Sequence, residues 1–309
     1  MSAAQGIGVG ERLVDDREPP RESSGRSGRS RLTPYLLLLP GMLWLAVFFL
    51  APIITLLSTS TQTAPEGAEI GVYTQTFRFA NYTDTISEYF DVFARSFLYA
   101  FIATVLALAI SYPLAYAIAF KAGRWRNILL VLVVAPFFVS FLLRTVAWKQ
   151  ILADDAWVAD ILRFLHILSA DGRIINTAPA VVTGITYNFL PFMILPIYAS
   201  LERVDPRFLE AAGDLYANGL TTLRKVTVPL SMPGVVAGTL LTFIPAAGDY
   251  VNAELLGSTD TRMIGNVIQT QFLRVLDYPT AAALSFILMA AILLMVTFYI
   301  RRSGTEDLV

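Results

Sequence analysis

The chain has 309 residues, of which 55% are hydrophobic and 15% charged, more apolar surface than a soluble domain of this length can bury, so lipid is the expected solvent. A formal net charge of -1 signals neither nucleic acid nor an acidic partner, and the position of charges has to carry the argument. Without cysteine and with one histidine, His166, disulfide frameworks, thiolate zinc sites, cysteine nucleophiles and multi-histidine metal centres are excluded.

Residues 1–31 are rich in Arg, Ser, Gly, Glu and Pro and hold too few bulky apolar side chains to offset ordering entropy, which predicts a disordered tail. Arginines before an apolar run also suit a secretory signal, but no convincing small-residue cleavage site follows, so an uncleaved first span is expected. Crossing the hydrocarbon core takes roughly 20 apolar residues. Six stretches approach that length: Tyr35 to Leu57, Ser96 to Phe120, Ile128 to Trp148, Ala178 to Leu201, Val235 to Val251 and Ala281 to Ile300. An even number places both termini on one side. Of 23 Lys and Arg residues, 15 fall in the tail, in the connections 2–3 and 4–5 and at Arg301 and Arg302 before the C-terminal tail 303–309, whereas the opposite connections carry Asp154, Asp155, Asp160 and Asp171. The positive-inside bias therefore predicts cytoplasmic termini.

The second outer connection contains Trp157, Ile161, Leu165 and Leu168 at helical spacing, an amphipathic helix that either caps the bundle or docks an external partner. The connection between spans four and five, Glu202 to Pro233, is too long for a simple turn. Asp205-Pro206 is a helix start. Phe208, Leu209, Ala212, Leu215 and Tyr216 repeat at three and four, with Glu210 and Asp214 on another part of the surface. Asn218-Gly219 is a break. Leu220, Leu223 and Val226 then define a second short helix, ended by Pro229 and Pro233. Two short helices joined at a bend would form a rigid knob for a groove on a cytoplasmic protein.

This string resembles the EAA loop of bacterial ABC-importer permeases, in which EAA is followed by three residues, Gly, nine residues, Ile, one residue and Leu-Pro. Glu210, Ala211, Ala212 and Pro229 match, Val226 and Val228 replace the isoleucine and leucine, and Tyr216 stands at the glycine position with Gly219 nearby. The segments 136–148, 187–206 and 264–273 look like the B-type permease of spermidine/putrescine importers, and the resemblance covers roughly 32–302. It implies an all-α, six-helix type I permease in the bacterial cytoplasmic membrane. It also implies a second, similar permease, two ATPase subunits that receive the EAA loops, and an extracytoplasmic substrate-binding protein. Relatives of that branch import other small cations, amino-acid-like compounds and metal chelates as well as polyamines.

None of Lys121, Lys149 and Lys225 follows a glycine, so a P-loop is missing and ATP with its magnesium is expected on a partner. No catalytic residue, metal or cofactor is assigned to this chain. An acid inside a span is a functional candidate by default. Asp249 lies where Pro245 and Gly248 interrupt the fifth span, with Tyr250, Asn252 and Glu254 directly after it. Carboxylates and aromatic faces are what a polyammonium needs, and Trp148, Tyr187 and Asn188 complete the set of path candidates. The alternatives are an interfacial position for Asp249, an interhelical hydrogen bond for Asn188, an aromatic-belt position for Trp148, or an ion site at Asp249 in a gradient-driven carrier working alone.

Overall fold

A computed structural model describes residues 33–67, 69–169 and 171–303. The expected tail at 1–31 and the last residues from 304 lie outside them. The chain divides into two compact units, 1–53 and 54–309. The first consists of the N-terminal part of helix α1 (Tyr35–Ser60), whose side chains from 35 to 52 are all exposed. Water does not accommodate so continuous an apolar surface.

Ten of the remaining helices organise the second unit with a final long one. They are α2 (Ala80–Lys121), α3 (Gly123–Phe138), α4 (Phe141–Ile151), α5 (Trp157–Phe164), α6 (Ala178–Glu202), α7 (Pro206–Asp214), α8 (Gly219–Leu230), α9 (Met232–Ala247), α10 (Val251–Leu256), α11 (Ile264–Thr270) and α12 (Tyr278–Ser303). A two-residue antiparallel pairing, Gln62–Thr63 with Thr74–Gln75, is the one pair of strands among the described residues. Among the described residues four helices are long and apolar enough to span a membrane, and two bent pairs bring the number to six when each pair is one span.

The core forms where α6 packs against α2 and α9. Lipid supplies no hydrophobic push between helices, so close approach of small residues has to hold them. Along α2, Ala100, Ala103, Ala107, Ser111 and Ala115 are buried at three- and four-residue spacing. On α9 a Cβ at Gly234 would stand 2.5 Å from the Pro196 carbonyl oxygen of α6 and one at Gly238 would stand 2.9 Å from Met193 Sδ. At the far end of the bundle, Ser96 of α2 accepts the Ile264 backbone N–H at 2.7 Å, satisfying a donor that the start of α11 leaves free.

Several expected boundaries shift. The second span begins at Ala80 rather than Ser96, because the polar stretch before it continues the same helix. The third span is not straight: α3 and α4 meet at 97°, since Pro136 interrupts the helical hydrogen-bond ladder and Val139 and Ser140 are extended at ψ 136° and 138°. The fifth ends at Ala247, not Val251, and the chain re-enters a helix at Val251. The last span starts at Tyr278 and takes in Ser303, which was expected in the tail.

The outer amphipathic helix is shorter than its spacing suggested. It stops at Phe164, where His166 adopts a left-handed φ of 57° and the Ile167 N–H reaches back to the Leu162 carbonyl at 3.0 Å, a Schellman ending. Trp157, Ile161 and Leu165 are exposed, while Val158, Ala159, Leu162 and Leu168 pack inward. Replacing Gly234 by Leu is expected to destabilise the bundle by about 1–3 kcal/mol through overpacking against α6, measured as a lower thermal unfolding midpoint of the purified protein in detergent.

Candidate functional site

Two constellations carry the residues that the sequence singled out. The first is the loop between α6 and α9. Asp205 caps α7, its carboxylate accepting the Arg207 N–H at 2.9 Å, and Asn218 caps α8 by accepting the Thr221 N–H at 2.8 Å. Between them Tyr216 takes a left-handed φ of 59°. The Ala217 N–H donates to the Ala212 carbonyl at 3.0 Å and the Tyr216 N–H to that of Gly213 at 2.9 Å, so the helix end is a complete Schellman motif. The glycine position of the EAA pattern is the position of positive φ, and tyrosine occupies it with its side chain 98% exposed. Glu210, Ala211, Asp214, Leu215, Gly219 and Leu220 are also exposed, whereas Ala212 is buried.

The second loop helix does not end at Pro229, as expected, but runs to Leu230 and turns at Ser231 by 69° into α9. Proline fits because the preceding turn, Leu223–Thr227, widens to π-helical geometry, which moves the carbonyls away from a residue that cannot donate. Val226 is half-buried and Pro229 exposed. Two contacts fasten the root of the loop. Arg126 at the start of α3 pairs with Glu202 and donates to the Tyr198 hydroxyl, its guanidinium lying 5.1 Å from that ring. The hydroxyls of Tyr112 on α2 and Ser231 are 2.9 Å apart.

The second constellation is a buried polar chain. Asp249, 6% exposed, sits in the break between α9 and α10. Its carboxylate accepts the Asn252 backbone N–H at 2.8 Å and the Asn252 side-chain amide at 2.6 Å. The Asn252 carbonyl oxygen accepts from Asn188 Nδ2 at 3.0 Å and Thr145 Oγ at 3.3 Å, and Asn188 also donates to Thr145 at 3.0 Å. Side chains from α4, α6 and α10 thus meet around one carboxamide, away from water. Gly184 and Gly265 make room for it: a Cβ would lie 2.7 Å from Asn252 Oδ1 at the first and 2.5 Å from the Gly248 carbonyl oxygen at the second.

The other path candidates lie apart from that chain. Tyr250 is exposed, and Glu254 is exposed and held by Arg274 at 3.4 Å and Asn266 at 3.3 Å. Trp148 and Tyr187 pack edge to face with ring centres 5.2 Å apart. Thr145 and Asn266 were not singled out from sequence; a threonine or asparagine beside apolar residues carries no mark until its partner is known. A groove of about 360 Å³ between α2, α9 and α12, lined by Phe101, Leu108, Phe243, Val296 and Phe298 among others, is almost wholly apolar and offers a cation no carboxylate.

Residues 30–302 match the family model described as the inner membrane component of binding-protein-dependent transport systems. The chain belongs to that family. This permease is 36% identical over 261 residues to the spermidine/putrescine transport system permease protein PotB of Escherichia coli strain K12, covering 84% of this chain and 94% of that protein. PotB of Haemophilus influenzae is 38% identical over 84% of this chain and 90% of its own length. The E. coli inner membrane ABC transporter permease protein YdcU is 29% identical over 88% and 90%. Among solved structures, a chain of a bacterial ABC transporter involved in the import of the acidic polysaccharide alginate superimposes with a TM-score of 0.65, covering 90% of this chain and 97% of its own, at 17% identity. The architecture of this permease is thus the type I importer fold, built as a multi-pass membrane protein.

Replacing Asn252 by Ala would strip partners from a buried carboxylate and a buried amide, each worth about 1–3 kcal/mol. Thermal unfolding in detergent should show a larger loss for Asn252→Ala than for Asn188→Ala, which leaves the Asp249 pairing intact. At Tyr216, glycine should relieve about 1 kcal/mol of left-handed strain, read as slower amide hydrogen exchange across 206–230.

Proposed function

We propose that this permease is the translocation subunit of a polyamine importer, taking spermidine or putrescine inward by alternating access driven by ATP hydrolysis on partner subunits. The relation to PotB across 84% of the chain carries the substrate reading. In this reading both termini and the α7–α8 loop are cytoplasmic, in keeping with the concentration of Lys and Arg on that side. The importer pairs this chain with a second, similar permease, takes its ATP and magnesium on two ATPase subunits, and receives substrate from an external binding protein.

The loop suits a mechanical role. Both its helices are capped, its bend is fixed by backbone hydrogen bonds, and it presents Glu210, Asp214, Leu215, Tyr216 and Leu220 outward. A rigid element seated in an ATPase cleft moves with it, and the contacts of Arg126 with Glu202 and of Tyr112 with Ser231 pass that motion to α3, α6, α2 and α9. For the substrate, Glu254 and Tyr250 supply an exposed carboxylate and aromatic face near the break after α9. Asp249 acts from behind them, its carboxylate fixing the shape of that break through Asn252.

The test is uptake of radiolabelled spermidine and putrescine into vesicles holding this chain with its co-purifying partners, with and without ATP. ATP-dependent accumulation supports the reading; ATP hydrolysis without polyamine uptake would redirect it to another small solute, and gradient-driven uptake without ATPases would overturn it. Glu210→Ala should lower ATP-driven uptake by about 5- to 150-fold, the range of a coupling worth 1–3 kcal/mol, with membrane insertion unchanged.

A further inference from the structure

An arginine in the middle of the bent third span has no counter-charge among the described residues. Arg144 lies in the first turn of α4 and is only 8% exposed. Its Nε and Nη1 are buried without a hydrogen-bond partner among the described residues. The guanidinium carbon sits 5.6 Å from the Phe141 ring centre and 5.8 Å from that of Phe137, which places the charge at the bend, beside the N-terminus of an eleven-residue helix without a side-chain cap.

That arrangement is electrostatically incomplete. A cation at a helix N-terminus adds to the positive end of the helix dipole, and a desolvated guanidinium whose donors are unused is costly unless an anion meets it. Two aromatic faces offset part of the desolvation but accept none of the in-plane N–H groups. The missing ligand is therefore an oxyanion that meets the guanidinium through the small part of Arg144 left exposed and neutralises its charge, since Nε and Nη1 themselves are enclosed by this chain.

Position selects its source. From Gly123 to Phe138 α3 rises about 24 Å at 1.5 Å per residue, so a helix entering lipid at Arg124 and Arg126 reaches the bend inside a hydrocarbon core about 30 Å thick. Lipid phosphates lie outside that depth, and a polyammonium has the wrong sign. Around Arg144 the side chains of Phe138, Val139, Leu142 and Leu143 are exposed, an apolar rim of the kind that excludes water from a buried arginine contact between subunits. We infer that Arg144 is an anchor for the second permease subunit, receiving an Asp or Glu carboxylate of that subunit at the α3–α4 bend. The inference rests on the paired-permease reading above.

The experiment uses this chain, affinity-tagged, co-expressed with the second permease and ATPase of its own transport system. Arg144→Ala and Arg144→Glu should leave insertion of this chain unchanged and cut recovery of the second permease about tenfold or more, as expected when one member of a buried charge pair is removed. Arg144→Lys should retain part of it. A photo-reactive benzoylphenylalanine at Leu143 should cross-link to an Asp- or Glu-bearing segment of the second permease, and an arginine introduced at that acid should restore recovery with Arg144→Glu. Wild-type recovery with both variants, or cross-linking to lipid alone, would overturn the anchor. Should Arg144→Ala fail to insert, the Leu143 cross-link decides. If the wild-type chain recovers no second permease at all, the paired-permease reading itself falls, an outcome distinct from loss in the variants alone.

Discussion

Inside a bilayer an unpaired N–H or C=O finds no water, so every departure from regular helix has to be satisfied by the protein itself. The break after α9 obeys that constraint. At 248–250 the interrupted backbone is closed by the Asp249 carboxylate on the Asn252 N–H and by Asn266, whose amide donates to the Tyr250 carbonyl at 2.8 Å. Asn252 then ties the repaired break to α4 and α6. A carboxylate in this place serves backbone geometry first, and its burial follows from that service.

The same constraint sets how the helices approach. Because tails of lipid are as apolar as leucine, helices hold one another through short contacts between small side chains, and α6 is central because α2 offers alanines and α9 glycines to it. The loop of α7 and α8 hangs from this centre. Its root is the end of α6 and the start of α9, both of which bear side chains that reach neighbouring helices, Glu202 toward Arg126 and Ser231 toward Tyr112.

Legibility from sequence follows the same lines. The six apolar stretches, the helix start at Asp205-Pro206 and the break at Asn218-Gly219 are local signals: four of the stretches are single long helices and two are bent pairs, Asp205 caps α7, and the break is where Asn218 caps α8. The bend between α3 and α4 was hidden because Pro136 is compatible with a kinked span as well as a broken one, and only the extended pair Val139-Ser140 separates them. Which face of the outer helix meets the bundle was not legible, because Trp157, Ile161 and Leu165 on one side and Val158, Ala159 and Leu162 on the other are both apolar, and only the packing shows that the second set lies against the core. Asn188 and Asn252 were chosen separately. That they share one hydrogen-bonded cluster with Thr145, 107 positions from Asn252, is a property of the packing, not of any window of sequence.

The tyrosine at the loop bend has an evolutionary corollary. What the turn demands of position 216 is a backbone angle, and the hydrogen bonds from Tyr216 and Ala217 enforce that angle without help from the side chain. Glycine reaches it most cheaply, but any residue whose strain the surrounding bonds can absorb will do, and the bulkier residue gains a solvent-facing surface that glycine lacks. A search pattern that insists on glycine there tests for the least strained solution and would pass over a chain such as this one, in which the bend survives while the letter that usually spells it has changed.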